Sequence, residues 1–432
     1  VRPASIARLA ALALLLAPMA AAQNFSQRGF LEIESFGFPQ TAPTDSSHGV
    51  AEALLRYEAF YKPGSAWQFA GSFDARTDTH REDERLLHLS WWDRETQRPA
   101  FAVRRLSATY NHGPVTVEVG KQFVRWGRAD ILNPTDRFAP RDFLNVVDNE
   151  FLAVPAARLT VEQDSETVDV VWQARFTPAR IPLLDQRWVV LPENLPPGLR
   201  IIDGGARYPG GSEFGGRWNH NGAGYEFSLS FYDGFNYLPL IDVTPWHDPL
   251  TSGSGTTPPE SSGVPPPPPA VALERFYPQM RMCGGDAAVP LRAFTIKGEA
   301  AWFTSTNAAA DEYAIYVLQL EKQRGEWSFT GGYAGEVVTR SRSTPEFAYD
   351  RGLARAFLGR ASYTIGPTRS VAFETAVRQN GKGVWLKSEY SQSFGQHWRA
   401  TAGFTLIRGA REDFLGQYRR NSHALLAFRY SF

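Results

Sequence analysis

Asn421-Ser422-His423-Ala424-Leu425-Leu426-Ala427-Phe428-Arg429-Tyr430-Ser431-Phe432 reads as a β-strand that alternates to its last residue. Side chains of a strand point by turns to opposite faces, so Ala424, Leu426, Phe428, Tyr430 and Phe432 share an apolar face while His423, Arg429 and Ser431 share a polar one. One face suits lipid and the other water. As an edge strand of a soluble sheet, the same segment would leave three rings bare.

The pattern repeats upstream. Leu55, Tyr57, Ala59 and Tyr61 fall on one face of 51–61, Trp67, Phe69, Gly71 and Phe73 on one face of 67–75, and Val168, Val170, Trp172, Ala174 and Phe176 on one face of 168–176. The same alternation runs through Tyr225 to Phe231, Trp327 to Tyr333 and Trp398 to Leu406. The interleaved faces carry Arg56, Glu58, Asp74, Arg76, Asp169, Arg175, Glu226, Glu336, Arg399 and Arg429, which predicts a polar interior lined by both signs of charge.

Connections come in two alternating classes. Short turns at Pro63-Gly64, Asn111 to Pro114, Asn221 to Gly224, Arg324-Gly325, Gly366-Pro367 and Phe394 to Gln396 alternate with long loops near 36–48, 77–100, 124–154, 177–212, 234–271 and 339–353. Strands at 27–35, 49–62, 65–76, 101–112, 114–124, 155–163, 166–176, 212–221, 224–233, 272–283, 289–303, 312–323, 326–338, 354–366, 368–379, 382–393, 396–407 and 421–432 number about 18. Sixteen is the alternative, because 155–163 and 272–283 alternate weakly. The fold expected is an all-β transmembrane antiparallel barrel with short periplasmic turns and long outer loops.

Arg2 and Arg8 precede an apolar run over 9–17, and small residues with a cut after Ala22 make 1–22 a signal peptide, so 23–432 is expected to be one barrel domain. That run is too short to span a bilayer, and no later segment has the length of a membrane helix. No plug-sized segment precedes Phe25, which counts against energy-coupled uptake. The 45 basic residues balance 45 acidic ones, so no overall field argues for nucleic acid and selectivity must be local. Cys283 is the only cysteine, and no two of the eight histidines stand four apart, so neither disulfide, metal site nor cofactor is expected. Trp246-His247-Asp248 lacks an accompanying nucleophile, which leaves a membrane-embedded hydrolase a minor alternative. The stretch 251–270, with prolines at every position from 265 to 269, can neither form a ladder nor pack a core. It is expected to be a disordered part of the fifth outer loop; the rival is an interdomain linker, disfavoured by the same alternation on both sides.

The third loop is the segment most suited to function. A barrel this wide has an aqueous lumen, so selectivity needs something folded into it, and a loop of about 30 residues braced by Pro134, Pro140 and Pro155 could do so. Arg125, Arg128, Arg137 and Arg141 against Asp130, Asp136, Asp142, Asp148 and Glu150 would set opposite charges across a constriction. The competing reading is that these charges pair with each other and pin the loop to the wall.

Two resemblances accompany this. Phe428, Tyr430 and Phe432 resemble the closing strand of bacterial outer-membrane barrels, which implies an assembly signal read by the barrel-assembly machinery. The run Gly120-Lys121-Gln122, then Trp126-Gly127 and Asp130, then Asn133-Pro134 and Asp136, then Pro155, Arg158 and Leu159, resembles a poorly characterised proteobacterial group of porin-like outer-membrane proteins over 118–162. It implies an 18-strand-like pore whose cargo is mostly unassigned; no catalytic residues are expected, and outer-membrane lipid and lipopolysaccharide are the expected surroundings. The function expected is passive diffusion of small polar or anionic solutes through a channel constricted by 124–154. The alternative is a polysaccharide export port, or a scaffold or sheath for a periplasmic partner such as a cytochrome; a homo-oligomer is compatible with either.

Overall fold

The computed structural model describes residues 24–130, 132–192, 195–246, 269–341 and 348–432. The leader 1–22, Ile131, His247, Asp248 and 251–268 of the proline-rich stretch lie outside them. The principal sheet has 19 strands, of which eighteen close into a ring. They are β1 (Phe25–Gly37), β2 (Gly49–Tyr61), β3 (Trp67–Asp78), β4 (Phe101–His112), β5 (Val115–Gln122) and β6 (Val154–Gln163). Next come β7 (Glu166–Gln173), β8 (Glu213–Gly222), β9 (Tyr225–Phe235), β10 (Gln279–Pro290), β11 (Thr295–Thr304) and β12 (Glu312–Arg324). The ring finishes with β13 (Trp327–Arg340), β14 (Ala356–Ile365), β15 (Arg369–Arg378), β16 (Gly383–Phe394), β17 (Trp398–Gly409) and β18 (His423–Ser431).

Each strand runs antiparallel to its chain neighbours, and β1 closes on β18, with Phe30 opposite Ser431 and Gly37 opposite Ala424. Closure pairs the backbone polar groups that an open edge would leave bare. Alternation then sorts the side chains. Ala424, Leu426 and Phe428 of β18 are exposed outward while His423, Leu425 and Ala427 are buried inward. Trp172, Trp302 and Phe357 point outward on other strands, each about half exposed at 50%, 49% and 55%, the face a bilayer would cover. At the short-turn end rings pair across strands, Trp67 with Tyr110 at 4.9 Å, Trp327 with Tyr363 at 4.7 Å and Trp398 with Tyr430 at 4.9 Å, forming an aromatic girdle.

The ring is uneven. β5 stops at Gln122 and β6 begins only at Val154, so the upper part of β4 lacks its usual partner. Gly120 explains where β5 ends: its φ is +127°, and a Cβ there would lie 2.2 Å from the Leu106 carbonyl oxygen. Only glycine fits. The second loop (79–100) fills the gap, because Leu89–Ser90 pairs in parallel with Phe101 and Ala102 of β4. Leu89 faces out, 55% exposed, and Ser90 faces in.

The tenth strand departs from expectation. It starts at Gln279, not near 272, because Pro278 has no N–H to donate and breaks the run. The residues before it, Ala270–Phe276, join Arg200–Arg207 and Leu240–Pro245 in a separate three-stranded sheet made by the fourth and fifth loops. Ala270, placed by composition in the unstructured stretch, is therefore a strand residue. The seventh strand is also shorter than expected: it ends at Gln173, and Phe176 turns into a buried cluster with Phe235 and Tyr277 instead of facing lipid.

With Cys283 replaced by serine, a nitroxide at Leu89→Cys in protein-containing liposomes should show high oxygen and low nickel-chelate accessibility, as a lipid-facing wall position does. Preferential access of the aqueous chelate would show that Leu89 stands in water.

Candidate functional site

The motif of the third loop folds into a closed turn. Asp136 accepts the N–H groups of Trp126 at 2.5 Å and Gly127 at 2.6 Å, while Asn133 donates its side-chain amide to the Ala129 carbonyl. Gly127 is needed because a Cβ there would meet Asn133 at 2.5 Å. The Trp126 indole donates to Asp169 at 2.8 Å and its ring meets Phe138 edge-on, which in turn meets Tyr232. Glu299 of β11 clamps both arms: it accepts from the backbone of Arg128 at 2.9 Å, Ala129 at 3.0 Å and Thr135 at 2.9 Å, and from the Thr135 hydroxyl at 2.8 Å. A carboxylate receiving four donors is well solvated without water.

The loop then reaches across the ring. Arg128 contacts Asp286 of β10 at 2.6 Å, Glu226 of β9 and Asn219 of β8 at 3.1 Å. Asp130 meets Lys297 of β11 at 3.1 Å and Gln319 of β12. On the opposite side, Glu150 meets Arg56 of β2 at 3.1 Å and Arg76 of β3 at 2.9 Å, and Asp148 meets Lys387 of β16 at 2.8 Å. A segment bonded to β2, β3 and β16 as well as β8 to β12 has to cross the interior. Arg125 and Arg141 each lie 4.1 Å from the Phe151 ring, so that one aromatic orders two guanidiniums. Arg137 is buried between Asp350 at 3.2 Å, Asn236 at 3.0 Å and the Tyr237 ring.

Buried charges tie this loop to its neighbours. Arg98 of the second loop binds Asp142 at 3.0 Å and Glu82 at 3.2 Å; Arg180 of the fourth loop (174–212) binds Asp142 at 3.4 Å and Asp93 at 2.7 Å; Asp93 also binds Lys121 at 2.5 Å. Burial acts to raise the Asp142 carboxyl, but Arg98 and Arg180 outweigh it and hold it below the usual range. Glu82 and Asp83 are the reverse: burial dominates, Arg98 opposes it only in part, and neighbouring carboxylates add to the rise, so Glu82 is pushed up to about 8 and Asp83 to about 7. One guanidinium serves too many acids, and protons make up the difference.

All nine loop charges singled out from sequence have a polar or ionic partner or a ring contact, and they divide by exposure. Asp136, Arg137 and Asp142 are buried, whereas the side chains of Arg125, Asp130, Asp148 and Glu150 stay about half exposed, at 48%, 49%, 55% and 50%. Arg128 and Arg141 are intermediate. Of the expected lumen residues, Arg56, Glu58, Asp74, Arg76, Asp169, Glu226, Glu336, Arg399 and Arg429 lie on inward faces of the ring. Arg175 does not. It follows the end of β7 and lies over the Trp92 ring of the second loop, because the chain has left the wall by then. Phe428 and Tyr430 stay on the outer face; Phe432 lies past β18, its backbone bonded to Gly29.

Sequence reading missed Glu299 and Lys297, although both alternate with Ile296, Gly298, Ala300 and Trp302 and were open to detection by period two. It also missed Lys387, which alternates with Leu386 and Ser388 on β16 and was open to the same detection, and Arg98, Arg180 and Glu82. The last three are loop residues, which carry no periodicity, so nothing local marks them.

No family model matches the sequence, and no curated protein does. Solved structures do. A BenF-like porin from Pseudomonas fluorescens Pf-5 aligns with a TM-score of 0.53 at 10% identity, over 95% of this chain and 97% of its own. Acinetobacter baumannii OccAB4 aligns at 0.52 with 8% identity, over 95% and 98%, and Pseudomonas aeruginosa OccK5 (OpdH) at 0.51 with 8% identity, over 96% and 99%. At such identities the likeness is one of fold: this chain has the 18-stranded architecture of these porins.

Asp142→Ala leaves Arg98 with Glu82 and Arg180 with Asp93 but removes the buried carboxylate they share, and should cost about 1–3 kcal/mol of stability in denaturant titration. Asp148→Ala, at a half-exposed bridge, should cost less than about 1 kcal/mol. Because Glu82 and Asp83 keep protons in the native state that the unfolded chain loses, the stability of the second loop should fall as pH rises from about 4 to about 8 and then level off. Hydrogen exchange of 79–100 should follow that curve, and Glu82→Gln should flatten it.

Proposed function

We propose that the chain is an outer-membrane channel through which small polar or anionic solutes diffuse passively, with the third loop as its constriction. Short turns would then face the periplasm and long loops the outside, the arrangement of single-chain bacterial barrels. The observation that carries this reading is the set of ion pairs joining one loop to opposite walls, from Asp130–Lys297 to Glu150–Arg76. A loop so held narrows a ring whose bore would otherwise stay open. The half-exposed carboxylates Asp130, Asp148 and Glu150 lie on the loop, while Arg28, Arg360 and Arg399 lie on the inner wall of β1, β14 and β17. Opposed charges across a gap orient dipolar solutes; Arg28 and Arg360 pair with Glu58 at 2.6 Å and Glu374 at 3.3 Å but their side chains stay exposed, and so present positive charge to anions. The porin architecture shared with the three solved structures supports the same reading, as does the resemblance of 118–162 to porin-like proteins. A sheath around a protein partner fits less well, because a crossed interior leaves little room for another chain.

The purified protein should conduct alone in a planar bilayer. Arg360→Gln combined with Arg399→Gln should move the reversal potential in a salt gradient toward cation preference. Silence in the bilayer would refute the channel, and superimposable reversal potentials would place the cationic wall elsewhere.

A further inference from the structure

β4 brings two consecutive arginines into the bore. Ser72 and Phe73 of β3 stand opposite Arg105 and Val103, so Arg104 is an extra residue in the ladder, a β-bulge that shifts the alternation by one. Arg105 accordingly reaches Glu118 of the inner wall at 2.8 Å, and Arg104 also turns inward, toward Glu58. The two differ in what they have left to give. Arg105 is bonded, whereas Arg104 stands 3.9 Å from Glu58, which is itself paired with Arg28 at 2.6 Å. Among the described residues the Arg104 side chain donates no hydrogen bond; it lies 4.5 Å from the Phe123 ring, which holds it in place. That side chain is 25% exposed and none of its nitrogens is sealed from solvent, so its fork is open to a solute.

Arg104 shares a cleft with Arg76 and Glu150, and that cleft already holds a carboxylate. Glu150 places Oε2 between Nη2 of Arg56 at 3.1 Å and Nη2 of Arg76 at 2.9 Å, and its Oε1 accepts nothing from the described residues. Burial acts to raise the Glu150 carboxyl, but Arg76, Arg56 and Arg104 outweigh it and hold it below the usual range. Asp74 is the fixed counter-charge: buried in the wall, it accepts from Arg56 on both oxygens at 2.8 Å and from Arg76 at 3.1 Å. The other charges of the cleft, Asp93, Arg98, Asp142 and Arg180, pair among themselves. Three guanidiniums therefore face two carboxylates, of which only Glu150 sits on a loop and is half exposed. A planar fork suits a carboxylate better than a spherical ion, and the chain's own Glu150 shows that one fits.

We propose that Arg56, Arg76 and Arg104 form a carboxylate site that Glu150 occupies at rest, and that a small solute carboxylate takes the place of Glu150 after meeting the open fork of Arg104. Glu150 is then a tethered competitor as well as a brace. Its displacement removes the bonds that tie this end of the third loop to β2 and β3, so the solute loosens the constriction at the point where it binds. The apparent affinity of the site is lowered by the fraction of time Glu150 fills it. The inference deepens the channel reading and rests on it for its biological use, but binding can be measured without conductance.

Calorimetry on the purified full chain in detergent tests this, with sodium propionate as the probe and sodium chloride keeping the ionic strength constant. Glu150→Gln should bind propionate about 5- to 10-fold more tightly than the parent, the difference between a charged and a neutral acceptor as competitor. Arg104→Gln removes no hydrogen bond within the protein, and should weaken binding about 10- to 150-fold, the range for one charged hydrogen bond. Glu321→Gln, which takes an acid from the far wall where it pairs with Lys297, should change the affinity little. In the parent, propionate should quicken amide exchange at 150–152; circular dichroism checks that each variant is folded. No binding by either the parent or Glu150→Gln, equal tightening by Glu150→Gln and Glu321→Gln, a folded Arg104→Gln with unchanged affinity, or exchange at 150–152 that stays the same or slows would each overturn the proposal. Binding in the expected pattern by a protein that carries no current would uphold the site and refute the channel, whereas current without binding would do the opposite.

Discussion

Closing eighteen strands into one ring satisfies the backbone but encloses a space wider than wall side chains can fill. Most of the rest follows from that width. A smaller barrel packs its own core; this one must bring chain in from its loops. The buried apolar cluster of Val124, Trp126, Phe138, Tyr232, Met282 and Phe303 is accordingly a contact between the third loop and the wall of β9 to β11, not a core within the wall. The second and fourth loops follow the third inward and meet it at Asp142.

Polar walls dictate how an inward loop can be held. Beside the apolar contact, the attachment is made by buried carboxylates and guanidiniums. Such pairs are expensive to desolvate, and each persists because extra donors complete it. Glu299 is bonded to three backbone N–H groups and a hydroxyl, and Asp136 to two N–H groups. Specificity of position is what these bonds contribute most clearly: they define which loop residue faces which strand.

One short strand has wide consequences. Because β5 ends at the Gly120 kink, the third loop leaves the wall low and turns in, and the wall above it is completed by Leu89–Ser90. The same second loop places Leu89 on the outer face and Arg98 against Asp142 inside. A single connection therefore touches both the outer surface of the barrel and the segment proposed to filter solutes.

Strand number and the inward and outward faces were legible in the sequence because they depend on local alternation, which every strand repeats. Departures occurred where a local cue was overridden: Pro278 delayed β10, and Phe176 and Arg175 left the wall for ring contacts supplied by other loops. The motif around Trp126 could be recognised, but its use could not, since Asp136 and Asn133 close the turn on themselves while Glu299 lies far along the chain. Whether a loop charge lines water or braces a wall is set by its partners, and these come from strands distant in sequence. Alternation is a property of neighbouring residues, so the sequence alone determined the barrel. Pairing across the bore is a property of the closed ring, so only the tertiary structure decided which loop charges are buried and which stay half exposed.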